Sequence, residues 1–218
     1  MSELALYAGV PGGHPAEGAT TAAGQTAAGE DLGSRGGPDD WADVQAAREG
    51  DSEAYARLIG RHQQAIGSYM WRFTRDRVQW EELVHDVFVE AYLSLRSYRG
   101  EAPLLHWLRK IATRVGYRWW KRRTRRKAET SLELQDWDQM AAADSGIDAA
   151  REAGRQVHAL LAKMSARDRL VLTLLYLEEC SVAEAARLCG WSRTMVKVQA
   201  FRARKKLKKL LEEGEHPQ

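Results

Sequence analysis

The feature that most constrains the fold is the spacing of apolar side chains, which recur every three or four residues through most of the chain after residue 40. That period matches the 3.6-residue turn of an α-helix and places the apolar side chains on one face. No stretch shows the alternation of apolar and polar residues that is typical of a strand. The sequence therefore predicts an all-α protein, with apolar helix faces at these positions: Tyr55, Leu58, Ile66, Met70 and Phe73; Leu83, Val87, Ala91 and Leu95; Leu104, Leu108, Ile111 and Val115.

Composition divides the 218-residue chain into four segments. Residues 1–40 hold twelve Gly and Pro residues and few large apolar ones, so this segment is predicted to be a disordered tail. Residues 128–150 hold six acidic residues and no basic one, which favours an extended tether because like charges repel. We therefore predict a helical domain at 41–127, an acidic flexible linker at 128–152 and a smaller helical domain at 153–213.

Basic residues are concentrated in two blocks, although the formal net charge is only +3. Residues 109–127 hold ten Lys and Arg, residues 192–209 hold eight, and neither block contains an acidic residue. Such blocks are typical of surfaces that bind a polyanion, the alternative being two solvated helix faces. No apolar run reaches the roughly 18 residues of a membrane span, and no secretory signal is present. We therefore expect a cytoplasmic protein with no membrane insertion.

The sequence indicates no catalytic or metal-binding centre. It contains no HExxH pair, no GxxxxGK(S/T) loop and no GxSxG elbow, and its six His residues are scattered. Cys180 and Cys189 lack a Cys or His partner at ligand spacing, so we interpret both as reduced, buried thiols. We expect a protein that needs no cofactor and is not an enzyme.

Residues 181–196, SVAEAARLCGWSRTMV, have the spacing of a helix-turn-helix. Ala186 is small enough for two helices to cross closely, and Gly190 can adopt the left-handed conformation of a tight turn. Ser192 can cap the second helix, and Val196 packs that helix against the first. An ordinary helical hairpin with a basic tail is the alternative. We predict that the second helix enters the major groove of DNA and presents these residues: Arg193, Thr194, Lys197, Val198, Phe201, Arg202 and Arg204.

These motifs resemble those of extracytoplasmic-function sigma factors of the sigma-70 family, which direct bacterial RNA polymerase to promoters. Residues 161–172, together with the helix-turn-helix that follows, look like region 4 of that family. The segment EELVHDVFVEA at 81–91 looks like region 2.2. The segment WLRKIA at 107–112 and the Arg run to Arg126 look like regions 2.3 and 2.4. The two groups of motifs stand in the family's order.

The resemblance implies partners and roles. Region 4 would bind the −35 promoter element as duplex and dock on the polymerase β flap, and an anti-sigma factor is a further implied partner. The helix that includes region 2.2 would bind the β′ clamp helices of core RNA polymerase through Glu82, Leu83, Asp86, Val87 and Glu90. The loop at 98–103 and the next helix would hold melted −10 bases, with Trp120 in the core and these contacts: Tyr98, Arg99, Arg114, Arg118, Trp119, Arg122 and Arg123.

Four positions depart from the family pattern, and one of them, Ser165 in place of a usual Pro, is a minor change. His85 stands where Gln is usual, and Arg114 and Arg118 stand where Asn and Asp are common. No base preference at the −10 element is therefore carried over. For the acidic linker, a plain tether and a nucleic-acid mimic threaded through polymerase channels are equal alternatives.

Two other classes of function fit parts of the sequence. A stand-alone helix-turn-helix regulator that binds an operator as a dimer needs only the last 60 residues, but no ligand-binding or receiver domain accompanies them. A Mg²⁺-dependent nuclease would use Glu81, Glu82, Asp86 and Glu90. Three of those acids share one helix face, and no second element supplies another, which argues against the nuclease.

Overall fold

A computed structural model of the chain describes residues 38–129 and 149–215. The regular structure within these ranges is helical, as the apolar spacing predicts, and no strand occurs there. The α-helices are α1 (Pro38–Arg48), α2 (Ser52–Met70), α3 (Arg77–Ser94), α4 (Leu104–Glu129), α5 (Ala149–Ala162), α6 (Ala166–Leu172), α7 (Val182–Cys189) and α8 (Arg193–Glu215). A 3₁₀ turn, Leu95–Ser97, follows α3, and a π-helical turn, Thr173–Leu177, follows α6. In the described ranges no helix is both long and apolar enough to cross a membrane.

The predicted tail and linker lie mostly outside the described residues. Of the tail at 1–40, only 38–40 are described, and they form the first turn of α1. Pro38 suits the first helical position, because an N–H there would have no partner within the helix. Helix α4 continues to Glu129 and α5 begins at Ala149, so the central part of the predicted linker, 130–148, also lies outside the described residues.

Capping side chains fix where α2 and α3 begin. Asp51 caps α2, its Oδ1 accepting hydrogen bonds from the backbone N–H groups of Glu53 and Ala54 at 2.9 and 3.1 Å. Asp76 caps α3 by accepting from the N–H of Gln79 at 3.1 Å. Both carboxylates satisfy amides that have no partner inside the helix, and both lie at the positive end of a helix dipole.

The core of the first half lies where α2, α3 and α4 face one another. Phe73, just after α2, is fully buried and packs on Trp120 of α4, with 4.6 Å between the ring centroids. The indole N–H of Trp120 donates to the carbonyl of Phe73 at 2.8 Å, so the buried polar atom is satisfied. Gly116 makes this approach possible, because a Cβ there would lie 2.1 Å from the Phe73 ring. The prediction that Trp120 belongs to the core is confirmed.

Helices α7 and α8 form the predicted helix-turn-helix. Ser181 caps α7: its Oγ accepts from the N–H of Glu184 at 3.2 Å, and the Glu184 carboxylate accepts from the N–H of Ser181 at 2.8 Å. Gly190 ends α7 with φ 69°, the left-handed conformation that glycine adopts without strain. The turn residue that the sequence predicts therefore has the predicted conformation.

The second helix of the motif begins and packs as predicted. Ser192 caps α8 by accepting from the N–H of Met195 at 3.1 Å. Val196 is fully buried, and Ala186 of α7 is buried at 7% exposure. Small residues on α8 continue that contact, so the inner face of α8 is apolar and its outer face is free to carry charge.

The two helical halves pack against each other, because α4 contacts both α6 and α7. The described residues of both halves belong to one compact unit. Arg72 Nε donates to Glu178 Oε1 at 2.8 Å, and the guanidinium carbon of Arg169 lies 4.2 Å from the centre of the Trp120 ring. An ion pair and a cation–π contact therefore join the halves.

Candidate nucleic-acid and polymerase interfaces

The outer face of α8 is cationic and exposed. It carries every residue that the sequence predicts for contact with duplex DNA, and all seven are exposed: Arg193, Thr194, Lys197, Val198, Phe201, Arg202 and Arg204. The opposite face anchors the helix through Val196, Ala200 and Ala203, which are at most 5% exposed. The side chains on the outer face are thus held on a rigid element and directed towards solvent.

The chemistry of this face suits the major groove. Arg193 and Lys197 lie in the N-terminal turns of α8, the part of such a helix that approaches base edges, and both can donate to guanine N7 and O6. Phe201 is 63% exposed, although exposure of a Phe ring to water contributes no stabilising free energy to the fold. An exposed apolar ring among cations is suited to a thymine methyl group or a sugar.

One residue near α8 was missed by the sequence reasoning. Tyr176, in the π-helical turn, is 52% exposed, and its hydroxyl accepts a hydrogen bond from Arg204 Nη1 at 3.0 Å. The contact joins residues 28 positions apart in the chain. The sequence contains no local signal for this contact, because the π-helical turn that orients Tyr176 has no recognisable sequence pattern.

Helix α4 carries the residues predicted to contact the −10 element. Arg114, Arg118 and Arg122 are exposed and lie at successive four-residue steps, which places them on one side of the helix. Trp119 is half-buried, and its indole N–H donates to Gln79 Oε1 at 3.0 Å. The guanidinium of Arg123 lies 5.5 Å from the centre of the Trp119 ring. Helix α4 therefore carries these exposed cations and one partly accessible aromatic ring within a few turns of one another.

The loop before α4 differs from the expectation at one position. Arg99 is exposed as predicted, but Tyr98 is only 3% exposed, and its ring packs against Trp107 at 5.4 Å between centroids. The Tyr98 hydroxyl donates to the carbonyl of Ala102 at 2.6 Å. Because the aromatic side chain closes the core under the loop, Tyr98 has no free face on which a base can stack.

The predicted polymerase-binding residues of α3 fall into two groups. Glu82 and Asp86 are exposed, and the side chain of Glu90 is 32% exposed. Leu83 and Val87 are buried at 2% and 0%, because they lie on the face of α3 that packs into the core. In this arrangement those two support the helix and do not reach a partner, which corrects the expectation for them.

Exposed apolar residues complete the outer face of α3, and the sequence reasoning missed them. Val89 is 41% exposed and Leu93 is 77% exposed, at three- and seven-residue steps from Asp86. That spacing places them on the side of the helix that carries the acids. The outer face of α3 therefore combines negative charge with unburied aliphatic side chains.

The two predicted surfaces meet at one ion pair. Arg118 of α4 donates through Nη2 to Glu90 Oε1 of α3, with side-chain exposures of 47% and 32%. Glu90 belongs to the predicted polymerase face and Arg118 to the predicted −10 face.

The structure brings no metal-binding cluster together in the residues that it describes. No group there has three or more His, Cys, Asp or Glu side chains placed to hold a metal ion. Cys180 and Cys189 are free and half-buried. Burial raises the pKa of Cys180 to about 11 and that of Cys189 to about 12, so both are protonated thiols near neutral pH.

Known protein families match both halves of the chain. Residues 58–126 match Sigma-70 region 2, which covers α3 and nearly all of α4. Residues 154–207 match Sigma-70, region 4, which covers the helix-turn-helix. A stand-alone regulator requires only the second of these, so the match to region 2 favours a sigma factor.

Curated proteins agree with this assignment. The chain is 31% identical over 157 residues to the RNA polymerase sigma factor YlaC of Bacillus subtilis, covering 70% of this chain and 88% of that protein. It is 24% identical over 165 residues to the ECF RNA polymerase sigma factor SigX of the same organism, covering 73% and 84%.

The fold is similar to that of CnrH, solved in complex with the cytosolic domain of CnrY. The TM-score is 0.51 with 24% identity, covering 80% of this chain and 97% of that one. The similarity supports the all-helical architecture. With both sigma regions matched in order and a relative aligned across most of its length, the chain belongs to the extracytoplasmic-function sigma factors of the sigma-70 family.

Proposed function

We propose that this sigma factor engages core RNA polymerase through the outer face of α3, places α8 in the major groove of the −35 element and holds melted −10 DNA against α4. An anti-sigma factor that covers one of these surfaces is a further partner. The observation that carries the proposal is the outer face of α8, where cations and an exposed Phe201 lie over a buried apolar face.

The polymerase surface consists of the exposed side chains of α3. Glu82 and Asp86 supply negative charge for cationic partner residues, and Val89 and Leu93 supply apolar area that binding would remove from water. Glu90 lies at the edge of this surface beside α4.

The polymerase surface is tested by reversing one charge. Asp86→Arg introduces a cation where partner cations are expected, so the affinity for purified core polymerase should fall by about tenfold or more. Glu49→Arg makes the same charge change at an exposed position in the turn after α1 and should leave that affinity unchanged. Wild-type affinity in Asp86→Arg, measured by fluorescence anisotropy of labelled sigma factor, would remove α3 from the interface.

The DNA surface is tested by separating base contacts from phosphate contacts. Arg193→Ala should cost about 1–3 kcal/mol on the preferred −35 duplex and relax the preference at one base pair. Arg202→Ala should weaken binding to all sequences alike and reduce the slope of log affinity against log salt by about 1. If both variants weaken all sequences equally, α8 contributes only phosphate contacts.

A further inference from the structure

The ion pair between Glu90 and Arg118 links two surfaces that the proposed function assigns to different partners. Glu90 lies on α3, whose outer face is assigned to polymerase, and Arg118 lies on α4, whose exposed cations are assigned to −10 DNA. While Arg118 is paired with Glu90, its guanidinium is neutralised and its donors are partly occupied. A phosphate that approaches Arg118 also meets the negative charge of Glu90.

The pair is exposed enough to exchange partners. Side-chain exposures of 47% and 32% leave both groups accessible to water and to charged ligands. An ion pair at such a position shifts an equilibrium by no more than about fivefold, so a competing charge can replace either member. A DNA phosphate would compete for Arg118, and a cationic side chain of the polymerase would compete for Glu90.

The neighbouring arginines provide an internal comparison. Arg114 and Arg122 lie one turn before and one turn after Arg118 on the same exposed side of α4. Among the described residues, neither forms an ion pair with a carboxylate. Of the three cations at this step, Arg118 is therefore the one held by the polymerase-facing helix.

We propose that Glu90 is a positioning residue for Arg118, which it holds as an internal counter-ion until the polymerase engages α3. A polymerase cation that pairs with Glu90 releases the Arg118 guanidinium for a DNA phosphate. The inference rests on the proposed function, which assigns the two surfaces.

The test uses the full-length free protein and a labelled single-stranded deoxyoligonucleotide, with affinity measured by fluorescence anisotropy at several salt concentrations. Glu90→Gln keeps the size of the side chain and removes its charge, so it should tighten oligonucleotide binding about two- to fivefold. Glu82→Gln removes the same charge from the same helix at a position without an ion pair in the described residues, and should give a smaller gain.

Double variants separate the ion pair from a general charge effect. Glu90→Gln should tighten binding in an Arg114→Gln background by the same factor as in the wild type. In an Arg118→Gln background the gain should disappear, because the released cation is absent. An equal gain in both backgrounds, or no gain in the wild type while Arg118→Gln weakens binding, would overturn the counter-ion role.

Failure of the proposed function gives a different result. If Arg114→Gln, Arg118→Gln and Arg122→Gln all leave oligonucleotide affinity unchanged, α4 does not bind DNA, and both the assignment of α4 and this inference fall. If those arginine variants lose affinity for the oligonucleotide but Glu90→Gln does not gain affinity, only this inference is refuted, and the assignment of α4 to DNA stands.

Discussion

Arg75 and His158 are joined across the two helical halves: Nη2 of Arg75 donates a hydrogen bond to Nε2 of His158 over 2.7 Å. For Nε2 to accept, the imidazole must be neutral. His158 is 9% exposed, and the guanidiniums of Arg72 and Arg169 lie near it as well. A buried neutral histidine surrounded by three cations makes the contact between the halves sensitive to acid.

The first prediction concerns pH. Burial, followed by the charges of Arg75, Arg169 and Arg72, lowers the pKa of His158 from 6.5 to about 3. The folded protein therefore binds fewer protons than the unfolded chain, so this group's contribution to stability is complete above pH 6.5 and falls as the pH falls towards 3. By pH ~5.5 the loss should be about 1 kcal/mol of unfolding free energy, measured by urea denaturation.

Two variants identify the group responsible. His158→Gln keeps a hydrogen-bond acceptor for Arg75 but does not titrate, so this part of the pH dependence should vanish. His106→Gln alters an exposed histidine and should retain it. If His158→Gln keeps the full acid sensitivity, the contact between Arg75 and His158 is not its source.

The second prediction concerns the ion pair between Arg72 and Glu178. Arg72→Glu and Glu178→Arg each place like charges at a 2.8 Å contact between the halves, so each should increase the radius of gyration in small-angle X-ray scattering. The double variant restores opposite charges and should return the radius towards that of the wild type. Unchanged scattering from both single variants would show that this ion pair does not control the association of the halves.

The third prediction sets packing against helix propensity. Gly116→Ala should destabilise the protein by about 1–3 kcal/mol, although Ala favours helix, because the new Cβ overlaps the buried ring of Phe73. Gly60→Ala is the matched change in α2, where nothing lies within 4 Å of the added atom. That variant should gain about 0.5–1 kcal/mol. Thermal unfolding distinguishes the two, and a gain from both would contradict the close approach at Phe73.

The fourth prediction concerns Glu179, which precedes the helix-turn-helix. Among the described residues, Glu179 is the one non-glycine residue with positive φ, at 50°. A non-glycine residue in this conformation costs about 1–2 kcal/mol of folding free energy. Glycine avoids that cost, but it also gives the unfolded chain more conformational freedom, which cancels part of the gain. Glu179→Gly should therefore raise the unfolding free energy by about 0.5 kcal/mol. Glu179→Ala keeps the Cβ and should not raise the unfolding free energy. If Glu179→Ala and Glu179→Gly raise it equally, the gain comes from removal of the carboxylate.

Local signals made much of this structure predictable. The helical period identified the core faces of α2, α3 and α4, and the spacing of Gly190, Ser192 and Val196 located the helix-turn-helix. Each of these features depends on residues within a few turns of one another, so sequence distance and spatial distance agree. The outer face of α8 followed from the same period, since burying one face leaves the other exposed.

Features that depend on distant residues were not predictable. Tyr98 has the aromatic ring that base stacking requires. Its packing against Trp107 and its hydrogen bond to the Ala102 carbonyl, which the sequence does not reveal, make it part of the core. For Leu83 and Val87 the two signals disagreed: the helical period placed both on the apolar face of α3, whereas the family motif assigned them to a partner, because a motif does not separate the two faces of a helix. The contacts between the halves join residues as far apart as Arg72 and Glu178, 106 positions along the chain.

The central claim is that this chain confers promoter recognition on RNA polymerase. The most direct test is in vitro transcription by purified core polymerase over a genomic promoter library, with and without the chain. We predict transcripts that appear only with the chain, start downstream of shared −35 and −10 sequences, and are lost with Asp86→Arg. Identical transcripts with and without the wild-type chain would contradict the account.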